Sequence, residues 1–440
     1  MIDVRDGLPP EPFDKLSRTF RRFIRIEAMA GGALLLCTLV ALALSNSPWS
    51  ASYHAFWEVP AGLSVGSFEF SRSLKHWIND GLMTLFFFLV ALELKREIVL
   101  GELRSWRIAA LSFAGALGGM IVPAGVFLVL RRGGEGWHGW GTVMSTDTAF
   151  LIGCLAVLGS RIPQSLRLFL LSLAIFDDIG AILVIAFGYG ATLNVSALAI
   201  AVLGVALVVL TGLLGVRSIP VYTALGGLIW LALDASGVHA TIAGVILGLM
   251  TPARSWVGDE RLRAILDRVI AYPRGEHWSG DTTDRKDLQR ANVATREALS
   301  PVERLEIILH PCVAFGVVPL FALANAGVSF FTMQVDTSLA LAIFAGFVLG
   351  KPAGVLLFSY LAVRFRLAAL PAELNWRLVF AGATLTGIGF TMALLIAELA
   401  FDPHLLGSVK LGILAASITS ATFGLSALRF LSSSASRPTP

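Results

Sequence analysis

Two apolar stretches, GTVMSTDTAFLIGCLAVL and LFLLSLAIFDDIGAILVIAF, carry Asp147, Asp177 and Asp178 well away from their ends. Asp147 lies about 14 residues from Arg161, and Asp177 and Asp178 about 10 from Arg167. At ~1.5 Å per helical residue, that places all three ~15 to 20 Å from one membrane face. In a hydrocarbon core ~30 Å thick this is the middle. A carboxylate there costs at least ~2.5 kcal/mol on insertion scales, so acidic groups at that depth face a wet cavity and mark an ion or proton pathway. The competing reading is structural ion pairing inside a helix bundle. Three carboxylates outnumber the basic residues available at that depth, which argues against it.

Of the 440 residues 56% are hydrophobic and only 15% charged, against ~25% charged in a soluble domain. The chain reads as a polytopic, all-α membrane protein. Its net charge of +4 does not point to nucleic acid, because the basic residues gather in short loops between apolar segments. Cys37, Cys154 and Cys312 sit inside apolar stretches, so neither a disulfide framework nor a CxxC metal site is suggested. RTFRRFIRIEAMAGGALLLCTLVALALS imitates a secretory signal. Its apolar run exceeds the ~7 to 15 residues of such a segment and lacks a cleavage site, so it reads as a retained first helix.

Apolar windows give twelve candidate spans, near 28–46, 77–98, 107–130, 141–160, 167–189, 194–214, 220–235, 238–251, 305–330, 337–364, 375–400 and 406–430. Two of them, 220–235 and 238–251, are too short to cross without neighbours. Arg18, Arg21, Arg22 and Arg25 precede the first span, and Lys95, Arg96, Arg104, Arg161, Arg167, Arg217, Arg364, Arg366 and Arg377 fall in alternate loops. The opposite loops offer only Arg72, Lys75, Arg131, Arg132 and Lys410. The positive-inside rule then puts both termini, 1–27 and 431–440, in the cytoplasm.

The first external loop, within 56–72, alternates Leu63, Val65 and Phe68, Phe70 around Gly66-Ser67 and predicts a two-stranded hairpin. A lone hairpin is marginal in water, so a second copy of the chain is the expected partner and a homodimer the expected assembly. Residues 253–303 form the one long polar segment, a cytoplasmic loop with two helical runs, ERLRAILDRVIAY and DRKDLQRANVATREAL. Ser300-Pro301-Val302-Glu303 predicts a capping box at the start of the ninth span. Gly115/Gly119, Gly244/Gly248 and Gly346/Gly350 have GxxxG spacing, a weak signal of close helix packing.

Lys351, between Gly350 and Pro352, also falls near the midplane and is the one buried cation expected. A carboxylate within ~4 to 6 Å would hold it charged, and Asp177 or Asp147 must be that partner. Thr146-Asp147-Thr148 in the fourth span and Gly387-Ile388-Gly389-Phe390-Thr391 in the eleventh are helix-breaking or backbone-capping sequences at the same depth. Both spans are therefore expected to be interrupted, with half-helix ends facing each other.

The runs NDGLMTLFFFLVALELKREI, STDTAFLIGCLAVLGSRIP, LAIFDDIGAILVIAFGY, SGVHATIAGVILG, LHPCVAFGVVPLFALANAGVS, LGKPAG and GIGFTMALLIA span residues 77 to 397. In this order they resemble the NhaA-type sodium/proton antiporters of bacterial inner membranes. The resemblance implies about twelve helices with inverted repeats in spans three to five and ten to twelve, an architecture for which that family is itself a type example. The interrupted fourth and eleventh helices would cross at the ion site. Asp178 would be the principal sodium ligand and proton site, with Asp177 its neighbour and the partner of Lys351. Asp147 would sit between the facing helix ends with Thr146 alongside. Glu93, Lys95, Arg96 and Glu97, with Glu306, would line a pH-responsive entrance, and His239 matches another position linked to pH response. On residues alone these charges are an ordinary solvated helix end, and His239 a hydrogen-bonded histidine between two short helices. The segment 253–303 is longer and more charged than the family pattern.

Sodium and protons competing for the same buried carboxylates give antiport, with Na+, Li+ and H+ as cargo and no cofactor. Oxygen ligands from Asp178, Asp177, Thr146 and backbone carbonyls suit a hard cation. Two other classes compete with this reading. A Na+- or H+-coupled symporter of a small organic solute needs a larger midplane pocket than the small and aliphatic residues around FDD suggest. An intramembrane aspartyl protease needs aspartates on neighbouring helices, whereas Asp177 and Asp178 are adjacent and the chain lacks a GxGD signature.

Overall fold

The structure, a computed structural model, describes residues 27–65, 68–99, 106–159, 162–189, 193–216, 218–253, 258–270, 283–330 and 335–435. The N-terminal segment with Arg18, Arg21, Arg22 and Arg25, the turn Gly66-Ser67, Arg104, Arg161, Arg217, most of the loop PRGEHWSGDTT and the end of the C-terminal tail lie outside these residues.

The helices, in order, are α1 Glu27–Ser45, α2 Ser50–Trp57, α3 Met83–Val99, α4 Trp106–Leu130, α5 Thr148–Leu158, α6 Gln164–Gly188, α7 Val195–Leu213, α8 Ile219–Ser236, α9 Ile242–Met250, α10 Asp259–Ile270, α11 Thr283–Ala298, α12 Pro301–Cys312, α13 Val318–Asn325, α14 Thr337–Ala345, α15 Lys351–Arg364, α16 Trp376–Leu385, α17 Phe390–Ala400 and α18 Pro403–Ala435. π-helical turns lead into α3, α13 and α15. Among the described residues eight helices are long and apolar enough to cross a membrane, or up to ten if each of two bent pairs is one span. The two expected spans that fall short are α3, with 17 residues, and α9, with nine. Nine residues rise only ~13 Å.

The chain divides into two compact units, Met1–Asn79 with Arg107–Gly190 and Ala314–Pro440, and Asp80–Trp106 with Ala191–Val313. In the first, α6 lies in an apolar core where Leu166, Leu170, Leu173 and Ala174 meet Leu151, Leu155, Val355 and Leu385. α4 and α15 touch backbone to backbone at Gly118 and Gly354, where a Cβ on either would strike the carbonyl of the other. Gly115 and Gly119 of the same helix face Ser359 and Val355. In the second unit α9 packs on α3, and Cβ atoms on Gly244 or Gly248 would collide with Thr84, Phe88 and Ala91. α10 and α11, the two runs of the long polar segment, pack on each other. The capping box closes on α12, with Glu303 N–H donating to Ser300 Oγ at 3.2 Å and Ser300 N–H to Glu303 Oε2 at 3.0 Å.

Strands β1 Pro60–Val65 and β2 Phe68–Ser73 form an antiparallel hairpin in register from Pro60↔Ser73 to Val65↔Phe68. Trp77 Nε1 anchors its base by donating to the Ala61 carbonyl at 2.8 Å.

Three expectations need correction. The ninth span was expected to run to residue 330, but its helix ends at Asn325. There Asn325 donates to Asn79 Oδ1 at 2.7 Å, and Gly327 packs against Ser45 and Tyr53 too closely for a side chain. Lys410, expected in a loop, lies inside α18 and is buried, so Lys351 is not the one buried cation. Arg131 was likewise expected in a loop. It is buried at the end of α4, where it pairs with Asp336 at 3.1 Å and bonds Ser338 and the Glu135 carbonyl. Backbone N–H groups of Leu339 and Ser338, with Arg131, hold the Asp336 carboxyl below the usual range.

Candidate functional site

Both expected interruptions are present in the first unit. The fourth span begins as a 3-10 helix, Trp137–Met144, passes through Ser145, Thr146 and Asp147 in extended or irregular backbone, and resumes as α5 at Thr148. Asp147 caps α5, accepting from Phe150 N–H at 3.1 Å. The eleventh span breaks between α16 and α17, which are bent by 52°. Gly387 and Gly389 do not break it through left-handed backbone, because neither has a positive φ. They are required by packing. A Cβ on Gly387 would meet Ser420 Oγ and the Phe347 carbonyl, and one on Gly389 the Phe347 ring.

The two breaks are joined through Asp147. Its N–H donates to the Ile388 carbonyl at 2.6 Å, and its Oδ2 accepts from Thr391 N–H at 2.8 Å and Thr391 Oγ1 at 2.6 Å. Each helix start exposes up to four N–H groups without an intrahelical partner and about half a positive charge. Asp147 answers both starts with one carboxylate.

Asp177 and Asp178 enter from the middle of α6, and both are buried. Lys351, at the first turn of α15, is fully buried and lies 3.1 Å from Asp177 Oδ2. It also donates to the Met144 carbonyl, the last of the 3-10 helix. The π-helical turn Gly346–Gly350 ahead of it packs tightly, with the position a Gly350 Cβ would take only 2.8 Å from Pro123 Cα. Thr146 Oγ1 is 2.6 Å from Asp177 Oδ2 and 3.2 Å from the Thr386 carbonyl. Among the described residues, none donates a hydrogen bond to Asp177 Oδ1. The Thr148 hydroxyl donates to Asp178 Oδ2 at 3.1 Å. Sequence reasoning quoted Thr148 only as part of a helix-breaking triplet, and it missed the carbonyls of Met144, Thr386 and Ile388.

At the far end of the 3-10 helix, Tyr189 Oη accepts from Gly141 N–H at 3.0 Å and donates to the His138 carbonyl at 3.1 Å. These two bonds tie this half of the span to the end of α6.

The second unit holds the remaining candidates. Arg96 pairs with Glu306 and, at 3.1 Å, with Glu97. Lys95 donates to the Leu249 carbonyl, and Glu93 is half-buried on the same helix. His239 is half-buried in the turn before α9, its carbonyl accepting from Ile242 N–H at 3.1 Å.

A family model described as Na+/H+ antiporter 1 matches residues 21–428. The Na(+)/H(+) antiporter NhaA of Rhizobium meliloti is 64% identical over 433 residues, 98% of this chain and 99% of the relative. Na(+)/H(+) antiporter NhaA 1 of Acidiphilium cryptum is 58% identical, covering 96% of this chain and 94% of that one. Na(+)/H(+) antiporter NhaA 2 of Vibrio vulnificus is 53% identical, covering 96% and 95%.

Lys351→Ala strips a buried carboxylate and a backbone carbonyl of their cation. We expect a loss of stability of roughly 3 to 5 kcal/mol, the scale for breaking one side of a buried pair. Melting curves of the detergent-solubilised protein check this, and curves superimposable on wild type would refute it.

Proposed function

The chain belongs to the Na+/H+ antiporter 1 family, and on that premise we propose that it exchanges Na+ or Li+ for H+ across the bacterial inner membrane. It is a transporter, not an enzyme. A charge count carries the mechanism. The starts of two half-helices, about half a positive charge each, meet the charge of Asp147. Among the described residues, the Asp177–Asp178 pair then sets two carboxylates beside the ammonium of Lys351. The missing positive charge comes from H+ or from Na+, and each excludes the other. Only an occupied pair is compensated enough to reorient, so inward proton movement is tied to outward sodium movement.

Asp178 is the principal sodium ligand and proton site in this mechanism. Asp177, Asp147 and Thr146 complete the binding region, and the Thr148 hydroxyl at Asp178 adds an oxygen suited to a hard cation. Lys351 acts as a charge partner, since an ammonium has no lone pair to offer sodium. More than one proton per sodium makes the exchange electrogenic. About twelve helices cross the membrane, with inverted repeats, both termini in the cytoplasm and residues 253–303 as a cytoplasmic loop. The cluster of Arg96, Glu97 and Glu306, with Glu93, Lys95 and His239, serves the pH response. Neither rejected class gains support. Asp177 and Asp178 share one helix, and Asp147 already accepts three hydrogen bonds, a poor start for a proteolytic dyad.

In everted vesicles, Na+ should drive proton flux, and Asp178→Asn should abolish it at every pH while expression persists. In wild type, each pH unit below the site's pKa should raise the apparent KM for Na+ about tenfold per competing proton. Robust exchange by the Asn variant, or a KM flat with pH, would sink the competition mechanism.

For assembly, the hairpin pairs with its copy in a second subunit. Its six-residue strands are the supporting feature, too small a sheet to stand alone. Deleting 62–70 should reduce the detergent-solubilised particle to a monomer while activity largely survives, and an unchanged mass would refute this.

A further inference from the structure

Glu398, Lys75 and Lys410 form an ionic cluster that the exchange site does not use. Glu398 Oε1 lies 2.7 Å from Lys410 Nζ and Oε2 2.8 Å from Lys75 Nζ, with side chains 10%, 10% and 24% exposed. The three come from different elements: α17, α18 and the single turn Leu74–His76 that follows the hairpin. Ionisable groups inside spans are costly, and one carboxylate between two ammoniums leaves a positive charge in excess. Stability alone is served as well by apolar contact, so the cluster calls for a role in placing something.

What it places is α17. Glu398 lies seven residues beyond Thr391, two helical turns or ~10.5 Å along the same face. Phe390 to Ala397 are all buried, so this half-helix is held in close packing and shifts as one piece. Its start gives Asp147 two hydrogen bonds from Thr391. Its other end is gripped by lysines from two further elements. We propose that Glu398 is a positioning residue for the ion site. The lysine pair fixes the axial position of α17, and with it the reach of the Thr391 N–H and hydroxyl to Asp147. The exchangeable Asp177–Asp178 pair is then tuned from two turns away by groups that never touch the cation.

The proposal rests on the exchange function above, and its test separates the two. Na+-dependence of proton flux is measured in everted vesicles for wild type, Glu398→Gln, Lys410→Met and the swap E398K/K410E, each normalised to folded transporter. Misplacement by a fraction of an ångström at a preorganised site should raise the apparent KM for Na+ of Glu398→Gln roughly tenfold or more. The swap retains one carboxylate and two ammoniums and should return KM to within about twofold of wild type. Should Glu398→Gln fail to fold, Lys410→Met decides, because it leaves Glu398 paired with Lys75, and it should raise KM about threefold. An unchanged KM in these variants, with flux falling only in step with folded protein, overturns the proposal, as does a swap no better than Glu398→Gln. Wild type without Na+-driven flux overturns the exchange function instead.

Discussion

Asp147 accepts from the starts of two half-helices at once, through Phe150 on its own helix and Thr391 on the other. A broken helix inside a bilayer exposes N–H groups that no water is there to satisfy, and non-helical backbone persists at that depth only where protein or a wet cavity covers it. Two breaks facing a single carboxylate satisfy each other's needs with one charge. The Asp147 N–H to Ile388 carbonyl bond closes the same junction from the backbone side. The rest of the first unit is arranged around this junction. Lys351 ties the end of the 3-10 helix, Thr146 and Thr148 turn their hydroxyls to α6, and Phe347 fills the space that Gly387 and Gly389 leave.

With Asp147 satisfied, Lys351 is left to answer two adjacent carboxylates. A well-packed apolar trio would be more stable than a site one positive charge short, and in the proposed mechanism transport uses that shortage. H+ and Na+ both supply one positive charge. In the proposed mechanism their competition follows from the charge count. The ionic cluster at the other end of α17 extends the same logic, because the half-helix carrying Thr391 is useful only while its position along the axis is held.

Much of this was legible in the chain because it breaks local rules. Aspartates and a lysine inside apolar runs, and two glycines beside a threonine in the eleventh span, are expensive unless something repays them, so Asp147, Asp177, Asp178, Lys351 and Thr391 stood out. What stayed hidden depends on direction and on backbone. Thr146 and Thr148 look alike in sequence, yet one faces Asp177 and the other Asp178. The carbonyls of Met144, Thr386 and Ile388 have no sequence signature at all. Glu398, Lys75 and Lys410 were hidden for another reason: each lies near the end of an apolar run, where a charge reads as interfacial. Distance from a span's end says nothing of what packs against it. The end of the ninth span was misplaced because residues 326 to 330 are apolar enough to continue a helix, while tertiary contacts at Asn325 and Gly327 stop it.

The central claim is that H+ and Na+ replace one another on a single buried charge deficit. Proton release on cation binding tests it most directly. Purified transporter in weakly buffered detergent solution, near neutral pH, is given Na+ or an equal concentration of K+ while a pH-indicator dye is followed. Release of protons with Na+ that saturates in parallel with Na+ binding, and none with K+, is the predicted result. Saturable Na+ binding seen by calorimetry, with no proton released at any pH where the protein stays folded, would contradict it.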